Sequence, residues 1–169
     1  EVKGPSVISG YWSSFPDGGS GLLRGDGFLR TGDLGYLAGG ELFVTGRIKD
    51  VIIIAGRNIN PFQVEALVEP IVDSGIVCGV AACGVPDARS GTEALHLLIE
   101  SEVLPRPDAA AIEERTRNAV AEAFGVTGIV IHWLAKGRIA KTTSGKIQHY
   151  RCKEWVISTL ANRDRTDRS

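Results

Sequence analysis

The chain has 169 residues, 43% of them hydrophobic, with 19 basic and 20 acidic side chains and a formal net charge of −1. That size fits one domain of about 150 residues plus a small remainder. The charge balance excludes a strongly basic nucleic-acid arm or an acidic tail as the main feature. The longest uninterrupted apolar run, residues 51–55, is far short of the ~20 residues a membrane span requires. The opening Glu1-Val2-Lys3-Gly4-Pro5 has no secretory pattern.

Three cysteines, Cys78, Cys83 and Cys152, fit reduced thiols better than a disulfide framework, so a cytoplasmic location is expected. Methionine is absent even at position 1. We therefore expect the gene product to begin upstream and this chain to be a fragment.

Glycine crowds the first 46 residues, a pattern of short strands and tight turns. Strands are expected at residues 28–30 and 41–45, with Ala38-Gly39-Gly40 as the turn between them. This stretch is too short to close a core of its own. From Lys49 the pattern changes. The β-branched run Val51-Ile52-Ile53-Ile54 reads as a buried strand. Asn60 caps a helix that opens with Pro61 and places Val64, Leu67 and Val68 on one face. Residues 77–85 and 94–99 read as strands around a turn at 86–91. Asp108 should cap a second helix, with Ile112, Thr116, Ala119, Val120, Ala123 and Phe124 inward and Gly125 ending it. Residues 129–133 form a further strand. A polar loop at 136–146 leads to a last helix over about 147–160, with Tyr150, Ile157 and Leu160 on one face and Tyr150 and Trp155 in the core. Residues 162–169 should be a charged, disordered tail. The order predicts an α+β fold, a small mixed sheet with three helices, over residues 49–161, preceded by a β-rich fragment at 1–48.

Three segments carry chemistry. In Arg30-Thr31-Gly32-Asp33-Leu34-Gly35 a carboxylate between glycines can accept two sugar hydroxyls, or bond its own turn. Thr45-Gly46-Arg47-Ile48-Lys49-Asp50 sits at the composition change, where domains pivot, or is a plain surface turn with a weak ion pair. Lys141-Thr142-Thr143-Ser144-Gly145-Lys146-Ile147 precedes a helix and offers hydroxyls, amides and ammonium groups for an anion, or caps that helix as a flexible linker. It is not a phosphate-binding P-loop, since Ala140 and Ile147 stand where that pattern needs Gly and Ser or Thr. Cys78 and Cys83 lack zinc-site spacing and read as buried small hydrophobes, so no metal site is expected. His96 and His132 read as packing. For His149 a role at a carrier or coenzyme A phosphate competes with a solvated charged face.

Taken in this order, the three segments resemble the C-terminal end of the acyl-adenylate-forming ligases, the superfamily of acyl-CoA synthetases, luciferases and nonribosomal-peptide adenylation domains. The stretch from Gly40 to Pro61 is most similar to long-chain fatty-acyl-AMP ligases of actinobacterial lipid pathways. The resemblance implies that residues 1–48 end a large adenylation domain and that 49–161 are its mobile C-terminal domain. It implies ATP with Mg²⁺, the metal bound mainly by the N-terminal adenylation domain. Asp33 should hold the ribose, Arg47 should assist at ribose or phosphate, and Lys49 should be the hinge. Lys146 should be the catalytic lysine that reaches the acyl carboxylate and α-phosphate. Gly56 and Arg57 should lie on the loop that admits the acceptor thiol. The implied activity is formation of a fatty acyl-AMP and passage of the acyl group to an acyl carrier protein. Coenzyme A as acceptor is the alternative, and a non-catalytic carrier-docking module is a third reading. The chain alone is expected not to adenylate.

Overall fold

The computed structural model describes residues 1–7, 23–72, 75 and 77–166. The chain divides into two units, Glu1–Lys49 and Asp50–Ser169. The crowded glycines between positions 18 and 21 lie outside the described residues.

In the first unit, β1 (Asp33–Ala38) and β2 (Glu41–Arg47) form an antiparallel pair. The turn between them needs left-handed backbone at Gly39 and Gly40, with φ of 59° and 84°. Tyr36 and Phe43 stack across the strands with ring centroids 5.2 Å apart. Gly35 sits at a register shift where an added Cβ would lie 2.6 Å from the Phe43 carbonyl oxygen. The strand expected at 28–30 is reduced to isolated bridges from Leu29 to Val2 and Leu23. A hydrogen-bonded turn from Arg24 to Gly27 adjoins it and interrupts extension, so β1 is the partner of β2. A single 3₁₀ turn, Ile48–Asp50, follows.

The second unit opens with a hairpin, β3 (Ile52–Ile54) and β4 (Arg57–Ile59), and α1 (Pro61–Val72). Asn60 caps α1 as its chemistry dictates, its Oδ1 accepting the Phe62 amide at 3.0 Å. A three-stranded sheet follows in the order β5-β6-β7, from β5 (Val77–Asp87), β6 (Thr92–Ser101) and β7 (Val130–Ala135). The β5–β6 pair is antiparallel and the β6–β7 pair parallel. Their link includes α2 (Ala109–Phe124), and α3 (His149–Thr166) comes last. Three α-helices and a mixed sheet make this the α+β fold that the sequence predicts.

The sheet is covered on both sides, which is why β5 and β6 read as nearly continuous apolar runs. One face packs Val80, Leu95, Leu97 and Ile99 against Val64 and Val68 of α1, Val120 of α2, and Ile52 and Ile59 of the hairpin. The opposite face packs Ala81, Cys83 and Leu98 against Cys152 and Val156 of α3.

Several expectations need correction. The run 51–54 is only partly buried: Ile52 belongs to the core, but Ile53 is exposed, because a two-stranded hairpin at the margin of the core buries alternate side chains. Asp108 does not cap α2 with its side chain. Its carboxylate takes a two-pronged contact from Arg106 instead, at 2.8 and 2.6 Å, and that contact holds its pKa down. Ala123 is exposed. Gly125 does end the helix, left-handed with φ 65°. Among the described side chains of α3, His149, Cys152 and Val156 are buried, while Tyr150, Trp155 and Ile157 are exposed. The helix runs on to Thr166, so residues 162–166 are helical where a disordered tail was expected; 167–169 lie outside the described residues.

Candidate functional site

Asp33 and Arg47 are brought together as a register pair at the open end of β1–β2. Arg47 Nε lies 3.3 Å from Asp33 Oδ1, and both side chains are substantially exposed. An exposed pair of this kind contributes only about 0–1 kcal/mol. The carboxylate is therefore available to other donors at little cost. The Asp33 amide donates to Thr31 Oγ1 at 3.1 Å, which fixes the turn entering the strand. Lys49 lies in the 3₁₀ turn and is the last residue of the first unit.

The segment around Lys146 is a stiff turn. Lys141 and Ile147 form an antiparallel bridge. Inside it, the Thr142 amide donates to the Lys146 carbonyl at 2.8 Å and the Gly145 amide to the Thr142 carbonyl at 2.9 Å. The Thr142 hydroxyl accepts the Lys146 amide at 3.1 Å and hydrogen-bonds the Ser144 hydroxyl at 2.9 Å. Gly145 takes φ 83° to close the turn. These bonds narrow the expected anion cradle: the amides of Thr142, Gly145 and Lys146 are engaged within the turn, and the Thr142 and Ser144 hydroxyls bond each other. The Lys146 side chain is exposed, and its ammonium has no partner among the described residues.

Gly56 lies in the two-residue turn between β3 and β4. Ala55 and Gly56 are both left-handed, with φ of 49° and 77°, the geometry that matches hairpin twist. Nothing lies within 4 Å of where a Gly56 Cβ would stand. Arg57 turns back: its Nη1 donates to the Phe124 carbonyl at 2.9 Å and so caps the C-terminus of α2. Among the described residues, no hydrogen bond or ion pair joins Lys146 to this turn.

Two networks were not anticipated from the sequence. His149 is buried, not solvated: Nε2 lies 2.8 Å from Glu65 Oε1, and Nδ1 lies 3.8 Å from Asp50 Oδ2. Phe62 packs edge-on against its ring. This corrects the carrier-phosphate reading of His149. Glu65 also accepts the Ala82 amide at 2.9 Å, satisfying β5 along its outer edge. The signal available in the sequence was a carboxylate on the apolar stripe Pro61, Glu65, Val68 and Val72. The second network starts at Glu93. One oxygen accepts the Ile53 amide at 2.7 Å and the other accepts Lys153 of α3 at 2.7 Å.

His96 and His132 pack as expected, hydrogen-bonded to each other at 2.9 Å. Desolvation, reinforced by the neighbouring His132, pushes His96 down to about 4. Burial pushes the Cys83 thiol up to about 12 and the Cys152 thiol up to about 11. Cys78 is only partly buried.

No family model matches the chain. Individual proteins do. A long-chain-fatty-acid–AMP ligase of Mycobacterium tuberculosis is 34% identical over 90% of this chain and 28% of its own length. A medium-chain-fatty-acid–acyl-carrier-protein ligase of Moorena producens is 37% identical over 90% of this chain and 27% of its own. The chain is a homologue of part of the fatty-acid–AMP ligases. It thus spans just over a quarter of the length of these relatives. Solved structures agree. One from the fatty acyl-adenylate ligases of E. coli and L. pneumophila matches 95% of this chain and 28% of its own, with 34% identity and a TM-score of 0.73. Another, McyG A-PCP complexed with phenylalanyl-adenylate, matches 86% of this chain and 26% of its own, with 30% identity and a TM-score of 0.71.

Proposed function

We propose that this chain is the C-terminal part of an ATP-dependent fatty-acid ligase that forms a fatty acyl-AMP and then passes the acyl group to the thiol of an acyl carrier protein. The observation that carries the reading is Lys146: an exposed ammonium with no partner among the described residues, on a turn closed by its own hydrogen bonds, in a chain homologous to fatty-acid–AMP ligases. During adenylation a carboxylate oxygen attacks the α-phosphorus of ATP and pyrophosphate departs. A cation on a long stem suits this step, because it offsets negative charge where carboxylate and phosphate meet. Asp33, only weakly held by Arg47, would accept the ribose hydroxyls, and Arg47 would face ribose or phosphate. Mg²⁺ would travel with the ATP phosphates; among the described residues no cluster of three His, Cys, Asp or Glu side chains could ligate it.

The second half-reaction is transfer to a thiol. The open space over Gly56 suits a pantetheine arm running along the backbone. We assign residues 1–48 to the end of the large adenylation domain and 49–161 to a mobile domain. Rotation about Lys49 would present Lys146 and the Gly56 turn to the adenylate in sequence. A carrier-protein acceptor is favoured by the Moorena producens ligase. Coenzyme A is the second reading, since a Mycobacterium tuberculosis relative at 35% identity is a putative fatty-acid–CoA ligase. Side-by-side transfer assays with carrier protein and coenzyme A separate the two.

The test is Lys146→Ala in the intact ligase. Fatty-acid-dependent ATP–pyrophosphate exchange should fall ~100-fold or more, the order lost with a deleted electrostatic donor. Thioester formation from preformed acyl-AMP should change far less. Unchanged exchange would remove the reading and favour a carrier-docking module.

A further inference from the structure

Among the described residues, no strand covers the outer edge of the Ala55-Gly56 hairpin. Ile53 is paired with Asn58, and its N–H and C=O point away from β4, as they must at a position that alternates out of the ladder. The Ala55 N–H points the same way. In most hairpins such groups would meet water or a third strand. Here two consecutive side chains at the start of β6 take all three. Thr92 Oγ1 accepts the Ala55 amide at 3.0 Å and donates to the Ile53 carbonyl at 3.0 Å. Glu93 Oε2 accepts the Ile53 amide at 2.7 Å. A hydroxyl and a carboxylate thus imitate the edge of a neighbouring strand.

The carboxylate has a second attachment. Its Oε1 accepts Lys153 Nζ of α3 at 2.7 Å, and α3 follows directly on the Lys146 turn. Gly84 makes the arrangement possible, because a Cβ there would lie 2.5 Å from Glu93 Oε2. The hairpin's tip is backbone that needs holding. Ala55 is the one non-glycine residue with positive φ among those described, a conformation disfavoured for a side chain.

We propose that Thr92 and Glu93 are positioning residues for the acceptor half-reaction. They set the height and angle of the Ala55-Gly56 turn and tie it to the helix behind Lys146. Neither touches the reacting atoms. Thr92 fixes the tip itself, and Glu93 fixes the strand beneath it and couples that strand to α3. The inference rests on the proposed function, which assigns the turn to the thiol acceptor.

The experiment uses the intact ligase with Thr92→Val, Thr92→Ser and Glu93→Gln, and measures both half-reactions. Thr92→Val should lower kcat for transfer from preformed acyl-AMP to carrier-bound pantetheine by about tenfold, the order expected when the two hydrogen bonds that hold the tip are exchanged for bonds to water. Pyrophosphate exchange should stay within about twofold, and Thr92→Ser, which keeps the hydroxyl, should restore transfer. Glu93→Gln should give a smaller loss in the same half-reaction. Equal loss in both half-reactions, failure of Thr92→Ser to restore transfer, or no loss in either overturns the proposal. If Thr92→Val does not fold, amide exchange in the 169-residue chain decides through Thr92→Ser and Glu93→Gln. The Ile53 and Ala55 amides should be protected in the native chain, and the Ile53 amide should exchange at least tenfold faster in Glu93→Gln. Unprotected native amides refute the clamp. The failures are distinguishable: Lys146→Ala with unchanged exchange sinks the proposed function, whereas Lys146→Ala losing exchange while Thr92→Val transfers normally sinks only this inference.

Discussion

Replacing Gly84 with alanine should be among the most damaging single-methyl changes in the second unit. Gly84 lies in β5 opposite Leu95. The new Cβ would stand 2.5 Å from Glu93 Oε2, 2.8 Å from Glu93 Cδ and 2.7 Å from Ile52 Cγ2. Neither neighbour yields freely. Ile52 is 1% exposed and sits in the core, and the Glu93 carboxylate is held from two sides by the Ile53 amide and Lys153. Overpacking a filled core costs ~1–3 kcal/mol. Displacing the carboxylate from the Ile53 amide adds ~1–2 kcal/mol. Alanine's smaller unfolded-state entropy offsets ~0.5–1 kcal/mol, so the clash dominates. The net loss is about 1–4.5 kcal/mol, or roughly 4–18 °C in Tm for a body of this size, measurable by thermal melting under circular dichroism. Gly79→Ala is the control. Its Cβ would meet Lys141 Nζ at 3.1 Å, the far end of a flexible side chain, and its melt should move by no more than ~2 °C. A Gly84→Ala melt as close to wild type as that would refute the reasoning.

The His96–His132 pair should make stability fall in acid. His96 takes up a proton near pH 4 when folded and near 6.5 when unfolded. Its contribution is therefore complete above pH 6.5 and is lost as pH falls toward 4, reaching about 3 kcal/mol. Urea midpoints at pH 7.5 and 4.5 should drop further for wild type than for His96→Leu; equal drops would contradict the assignment. Cys83 and Cys152, with thiols near 12 and 11, should resist iodoacetamide at pH 8 in the native chain and label readily in urea. Mass spectrometry showing native labelling of either as fast as in urea would count against their burial.

Features written in local chemistry were legible. Gly39-Gly40, Asn60-Pro61 and Gly125 each specify a turn or helix end through their own backbone preferences, and all three stand where the residues say. The likeness to fatty-acid–AMP ligases was legible too, and relatives 34–37% identical over 90% of the chain bear it out. Features that depend on distant partners were not. β4 is only Arg57-Asn58-Ile59, with no apolar alternation to announce it; the left-handed Ala55-Gly56 turn creates it. The inward face of α3 departs from the sequence reading because His149, a polar residue, is buried by a glutamate 84 positions earlier. Among the loop amides near Lys146, those of Thr142, Gly145 and Lys146 are closed on the turn itself, which only the hydrogen-bond pattern shows.

That closure limits how the Lys146 amine can travel. With the turn knotted by four internal bonds and its base zipped from 141 to 147, the group behaves like a bead on a short tether fixed to a solid wall. The tether is four methylenes, a radius of about 6 Å. Any errand longer than that has to be run by the wall.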